Sequence, residues 1–301
     1  MSMGQSLLAR LEMGNLLGKH WLKKALVGEL TPEECQQLIS SYDVVGDIAI
    51  IRIRDELKEK GKLIASAIMN ANKHVKTVLR QTSGVSGTFR LRGLEWIGGE
   101  KKTFTVHVEH GCRFHVDLAA SYFSPRLSCE RMRIAHLVQS DETVINMFAG
   151  VGCFSIIIAK HSKASRIYSI DINPDAIRLM KENIRLNKLE NRVIPIEGDA
   201  KCVIEKEFVG KADRVLMPLP EKAYEYLNSA IKALKPSGGW IHFYDSTHAD
   251  KRDYAIPQII TKVSERLENL KVDFKIPNSR IVRTVGPNWY QLALDIMISG
   301  K

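Results

Sequence analysis

The chain has 301 residues, 45% hydrophobic and 26% charged, an ordinary balance for a folded protein that buries a sizeable core. Its formal charge of +10 suits a polyanionic partner, and equally a basic protein without one. Apolar runs are too short to span a membrane. The short apolar stretch of residues 1–15 lacks a small-residue cleavage site. Five cysteines (Cys35, Cys112, Cys129, Cys153, Cys202) form no C-x-x-C pair, which argues against zinc or a disulfide framework and for a reducing cytoplasm.

In chain order, Leu7, Leu8, Leu11, Leu16 and Leu17 recur at helical spacing, so residues 1–40 read as helical. Thr31, Pro32 and the acids behind them form a helix start. The β-branched run 47–53 predicts a strand, 55–73 a helix and 75–79 a short strand. Residues 82–120 alternate apolar and polar side chains and are broken by glycine, the pattern of antiparallel hairpins. A small α+β domain is therefore expected at 1–125. From 140 onward the pattern is β–α alternation. Strands are expected at 143–148, 166–170, 193–196, 213–217 and 240–244. Helices are expected at 154–161, 173–187, 223–234 and 257–270. Two final strands, 271–276 and 291–298, are joined without a helix. Such alternation requires a mostly parallel sheet covered on both faces, here a second domain at 126–301.

The first of these strands runs into Phe148, Ala149, Gly150, Val151 and Gly152, where glycines admit a ligand to the backbone at a helix N-terminus. The third glycine of a dinucleotide fingerprint is missing, which argues against a pyrophosphate cofactor. Asp171, followed by Ile172, ends the second strand, where a carboxylate meets ribose hydroxyls. Asp199, followed by Ala200, ends the third, where it suits an adenine amino group. Three successive strand ends of this kind fit S-adenosyl-L-methionine. Met217 and Pro218, in Met217-Pro-Leu-Pro220, form a proline-rich corner that suits a loop facing a target base or a plain strand-to-helix turn.

Four strings, S-Y-D-V-V-G-D-I-A-I at 41–50, Y-F-S-P-R-L-S-C-E-R at 122–131, M-F-A-G-V-G at 147–152 and S-I-D-I-N-P at 169–174, resemble the archaeal and eukaryotic tRNA (guanine-37-N1)-methyltransferase family over residues 40–300. The resemblance implies an α/β Rossmann-like class I methyltransferase domain, with a mostly parallel seven-stranded sheet, beside the small α+β domain. Residues 1–38 are too few for the separate domain by which some members grip the tRNA elbow. It also implies Glu130 as the acid that takes the N1 proton, Arg131, Asp171, Asp199 and Ala200 as cofactor contacts, and Arg90 or Arg92 as the cation at guanine O6. The chemistry agrees: N1 of guanine is protonated at neutral pH, and a carboxylate at N1 with a cation at O6 would favour the reactive form. Burial raises a carboxyl pKa, so a partly buried Glu130 is expected. Read by itself, Glu130 is a salt-bridge partner for Arg126, Arg131 or Arg133.

Two positions depart from the family pattern. Asn146 stands where an aspartate is usual, and Pro218 where methylating members have the asparagine of Asn-Leu-Pro. An archaeal subgroup resembling this variant is linked to a second methylation, at carbon 7 of a tricyclic wyosine precursor. For an anticodon loop with a flipped base, Tyr122, Trp289 and Tyr290 are candidate stacking surfaces. Arg126, Arg133, Arg280 and Arg283 are candidate phosphate contacts; Arg280–Arg283 precedes Gly286–Tyr290, read as a loop at the sheet's last turn or as part of a solvated basic hairpin. The expectation is a cytoplasmic, monomeric tRNA enzyme with no metal and no membrane partner. The alternatives are aminocarboxypropyl transfer from the same cofactor, and a non-catalytic tRNA-binding protein.

Overall fold

The computed structural model describes residues 21–300, so the helix expected over 1–20 lies outside the described residues. The chain divides into two compact units. One runs to His107 and takes in Asp117–Ala119; the other comprises Val108–Val116 and the chain from Ala120 onward.

In the first unit, α1 (Trp21–Ala25) leads to α2 (Pro32–Gln37). Thr31 caps α2 as expected, its Oγ1 accepting from Glu34 N at 3.2 Å while Glu34 Oε2 accepts from Thr31 N at 2.9 Å. Then come β1 (Tyr42–Val45), β2 (Ile48–Ile51), a 3-10 turn, α3 (Gly61–Ala71), β3 (Thr77–Ser86) and β4 (Leu91–Gly99). These strands form one sheet in the order β1-β2-β3-β4. β2 and β3 pair in parallel because α3 crosses between them, and β3–β4 is the expected antiparallel hairpin. The strand expected to end at 79 continues to Ser86. Ile64, Ala65 and Ile68 of α3 are buried with Val78 and Ile97, each large apolar side chain contributing on the order of 1.5–3 kcal/mol. β5 (Phe104–Glu109) and β6 (Cys112–Asp117) form a two-stranded ribbon whose residues are shared between the units.

In the second unit, α4 (Ser128–Leu137) was not read from the sequence. Its polar face is buried in ion pairs, so it lacks an apolar stripe. β7 (Thr143–Asn146), α5 (Cys153–His161), β8 (Arg166–Asp171), α6 (Pro174–Leu186), β9 (Val193–Glu197), α7 (Ala200–Val203), β10 (Arg214–Met217), α8 (Pro220–Ala233), β11 (Gly238–His248), α9 (Arg252–Asn269), β12 (Phe274–Gly286) and β13 (Trp289–Ser299) follow. The sheet order is β12-β13-β11-β10-β7-β8-β9. β7 to β11 are parallel, and β13 runs antiparallel between β11 and β12. This is the seven-stranded, mostly parallel Rossmann-like sheet that was expected. Chain order reverses between β7 and β10, and ligands bind at the carboxyl edge of such a switch point.

Two boundaries differ from expectation. α9 begins at Arg252, and Pro257 lies in its second turn; buried Ala255 ties down the first turn. Of residues 286–290, read as a loop or as part of a basic hairpin, only Pro287 and Asn288 lie outside the strands: β12 and β13 form a hairpin closed by the left-handed φ of 57° at Asn288. No helix among the described residues is long and apolar enough to cross a membrane.

Candidate active site

The glycine loop leaves β7 at the switch point, with Met147 N donating to Leu216 O at 3.0 Å. Gly150 and Gly152 take φ of 55° and 90°, and Gly152 starts α5 in that left-handed conformation. A Cβ on Gly152 would lie 2.8 Å from Met180 Cγ, so backbone conformation and packing both require glycine there. Asp171 ties the loop to the next strand: Oδ2 accepts from Gly150 N at 2.6 Å and Oδ1 from Asn173 N at 2.9 Å. Burial pushes the Asp171 carboxyl above its ordinary range, opposed by the N–H groups of Asn173, Gly150 and Ile172. Beneath the loop, buried Asn146 donates to Ser155 Oγ at 3.1 Å, and its Oδ1 has no partner.

Asp199 caps α7, its Oδ1 accepting from Lys201 N at 2.9 Å, and its other oxygen accepts from the Tyr226 hydroxyl. Burial and that carboxylate raise the Tyr226 phenol well above its ordinary value. The Tyr226 ring stands edge-on to Phe148, centroids 5.2 Å apart. Tyr226 lies on α8, beyond the strand-end motifs, and the sequence carries no local signal for it. Ile172 is 44% exposed beside Asp171. These residues fit an adenosine group: carboxylates at two strand ends, open apolar surface at Ile172 and half-buried Phe148, and backbone freed by glycine. Ala200 and Met217 are buried, behind the caps rather than at the surface, and Pro218 is partly exposed at the end of β10.

Glu130 belongs to the first turn of α4 and is fully rather than partly buried, at 3% exposure. Its Oε1 accepts from the Tyr244 hydroxyl at 2.8 Å and from Arg133 Nη2 at 2.7 Å; its Oε2 accepts from Arg133 Nε at 2.9 Å. Arg280 Nη1 stands 3.7 Å from Oε2. A carboxylate offers about four lone-pair directions, so these hydrogen bonds fill Oε1 and leave Oε2 able to accept once more. Tyr244 is one position beyond Phe243, the partner of Met217 in register, and its ring lies 6.0 Å from Phe154 on the first turn of α5. Glu130 therefore sits at the same carboxyl edge as the glycine loop and the Pro218 corner.

Other expected contacts take internal roles. Arg133 spends its guanidinium on Glu130 and on Asp295. Arg131 points into the protein, donating to Glu109 Oε2 at 2.6 Å and Ser124 O at 2.8 Å, with Phe123 and Phe154 near its guanidinium. Arg283 donates to Gln291 Oε1 (2.6 Å), Ser124 Oγ (2.8 Å) and Tyr122 Oη (3.2 Å), anchoring the F-S-P-R segment. Tyr290 packs against the core, whereas Trp289 is 46% exposed beside His248. Arg126 and Arg280 are exposed. Arg90, at a left-handed φ of 56° in the β3–β4 turn, and Arg92, on β4, belong to the first unit.

Residues 105–274 match the model described as "TRM5/TYW2 methyltransferase domain", and residues 22–103 match "TYW2 N-terminal domain". The chain is 41% identical to "tRNA (guanine(37)-N(1))-methyltransferase Trm5b" of Pyrococcus abyssi, over 89% of this chain and 78% of that protein. It is 36% identical to "tRNA 4-demethylwyosine(37)-methyltransferase Taw21" of Saccharolobus solfataricus, over 91% and 98%. The structure described as "The complex structure of aTrm5 and tRNALeu" superimposes with a TM-score of 0.78 at 39% identity, over 92% of this chain and 78% of that one.

Proposed function

The chain belongs to the TRM5/TYW2 methyltransferase family, and from that premise we propose that it methylates N1 of guanine 37 in tRNA, acting in the cytoplasm as a monomer on the anticodon loop. S-adenosyl-L-methionine, when bound, supplies a methyl group on a sulfonium and departs as the thioether. Asp171 would hold the ribose hydroxyls, Asp199 and the Phe148–Tyr226 pair the adenine, and Ile172 the flank of the nucleoside. The observation that carries the reading is a buried carboxylate, Glu130, at the glycine-loop edge with one oxygen still able to accept. Glu130 Oε2 would take the N1–H proton, leaving on N1 the electron pair needed to accept the methyl group that the bound cofactor would supply. Tyr244 and Arg133 hold the carboxylate in place for that transfer. Arg126, Arg280 and Trp289 are the exposed residues offered to RNA.

The test is mass spectrometry of nucleosides from unmodified tRNA incubated with the protein and S-adenosylmethionine, beside Glu130→Gln. A 1-methylguanosine product that disappears in the variant is expected; the same yield from both would overturn the assignment of Glu130. Pro218 favours a second substrate. It lacks the side-chain hydrogen bonds of an asparagine, which suits a larger, less polar base, and the Taw21 relative is named for 4-demethylwyosine. Methylation of that precursor at carbon 7 is therefore the next assay. Release of methylthioadenosine instead of S-adenosylhomocysteine would replace methyl transfer by aminocarboxypropyl transfer.

A further inference from the structure

Behind Glu130, starting from Arg133, runs an unbroken line of buried and part-buried polar groups, most of which the reaction scheme does not use. Arg133 grips two carboxylates at once: Glu130 through Nε and Nη2, and Asp295 through Nη1 at 2.6 Å and Nη2 at 3.0 Å. Asp295 Oδ1 lies 2.6 Å from His242 Nδ1, and His242 Nε2 lies 2.6 Å from Arg214 Nη1. Arg214 is in turn held by Glu142 at 2.7 and 2.9 Å and by Leu137 O at 2.9 Å. Arg214 can only donate, so His242 Nε2 accepts and its Nδ1–H donates to Asp295. Burial lowers the His242 pKa, which agrees with a neutral ring.

Taking Glu130 as the proton acceptor, we infer that Asp295 and His242 are positioning residues for the reaction, acting on Glu130 through Arg133. The sheet makes the arrangement rigid, because His242 and Asp295 face each other directly in the β11–β13 register. Asp295 and His242 side chains are 4% and 0% exposed. A buried ionic network adds little to stability compared with apolar packing, so a cluster of this size calls for a role other than stability. Charge bookkeeping supplies that role. With Glu130 ionised, Arg133 is shared by two anions. Once Glu130 has taken the N1 proton it is neutral, and Asp295 alone keeps the part-buried Arg133 charge paired. Without Asp295, proton uptake would strand the guanidinium, and that cost would fall on the transition state. With Asp295 removed, Arg133 would also be free to turn, and the Oε2 lone pair would lose its direction.

The experiment measures kcat and KM on unmodified tRNA for the full chain and for Asp295→Asn, His242→Ala, His242→Asn, Glu130→Gln and Glu130→Gln/Asp295→Asn. S-adenosylhomocysteine affinity by calorimetry reports that the fold and cofactor edge persist. Asp295→Asn should lower kcat about 100-fold, the size of effect a misplaced catalytic group produces, with KM and cofactor affinity retained. His242→Ala should lower it about 10-fold, and His242→Asn, whose amide restores a donor to Asp295, should recover most of that. In the Glu130→Gln background, Asp295→Asn should cost nothing further, because its route to the reaction is gone. The groups facing Glu130 are Arg133 from its own helix, Tyr244 from β11 and Arg280 from β12, with Asp295 and His242 behind Arg133. In Asp295→Asn, Arg133 keeps the Glu130 carboxylate as its one remaining anionic partner.

An unchanged kcat in Asp295→Asn, or an equal loss in both backgrounds, makes the network structural and overturns the inference. A Glu130→Gln enzyme with full kcat overturns the reading beneath it as well. If Asp295→Asn no longer binds S-adenosylhomocysteine, Arg133→Lys replaces it, since an ammonium has three donors and no planar fork where Arg133 makes four hydrogen bonds to the two carboxylates. An Arg133→Lys enzyme with full kcat then overturns the inference.

Discussion

At the glycine loop, the decisive groups are backbone N–H groups set by two left-handed glycines and gathered by Asp171. At Glu130, every hydrogen-bond partner is a side chain, and the two carboxylates joined through Arg133 are 165 residues apart in the chain (295 − 130). The loop needs conformational freedom at a few adjacent positions. The Glu130 cluster needs correct pairing of strands far apart in sequence. The first region should therefore fail locally, through binding or local strain, and the second through catalysis and acid stability.

The largest separation is expected from Glu130→Gln, which should lower kcat by roughly 10²–10⁴-fold while cofactor affinity holds. A matching loss of affinity would merge the two regions. Asp171→Ala should act in reverse, weakening S-adenosylhomocysteine binding by roughly 10- to 100-fold, the worth of hydrogen bonds to a charged group. Its kcat at saturating cofactor should fall far less. Gly152→Ala should cost about 1–3 kcal/mol of stability, read as a fall in thermal midpoint, because a left-handed φ and the contact with Met180 both oppose a Cβ.

The smallest effect concerns pH. Burial would raise the Asp295 carboxyl, but hydrogen bonds from His242 and Arg133 outweigh it and hold the group below the ordinary carboxylate range. Its folded-state pKa is depressed, so its contribution is full above about pH 4, the unfolded value, and fades as pH falls below that. Unfolding at stepwise lower pH should show Asp295→Asn with a shallower loss than wild type; parallel curves would remove the ionic account of the cluster.

The strand ends were legible in the sequence because their signals are local. Gly150 and Gly152 mark the turn, Asp171 and Asp199 fall at the next two strand ends, and Asn173 with Pro174 caps a helix in sequence just as it does in the structure. The β–α alternation by itself selected a parallel sheet, since only a crossover helix joins parallel neighbours. Helix α4 escaped because its periodic positions hold Glu130, Arg131 and Arg133, whose charges are compensated only by other elements. Arg131 was read as a cofactor contact and Arg133 as a phosphate contact, with both also offered as partners for Glu130; only Arg133 takes that place, because a side chain's charge is in the sequence but its choice among partners is not. The tertiary structure alone chose which carboxylate each arginine would meet. For Arg133 that choice follows from the register of β11 against β13, which sets Asp295, and for Arg131 from where β5 brings Glu109, neither of which any local run of residues encodes.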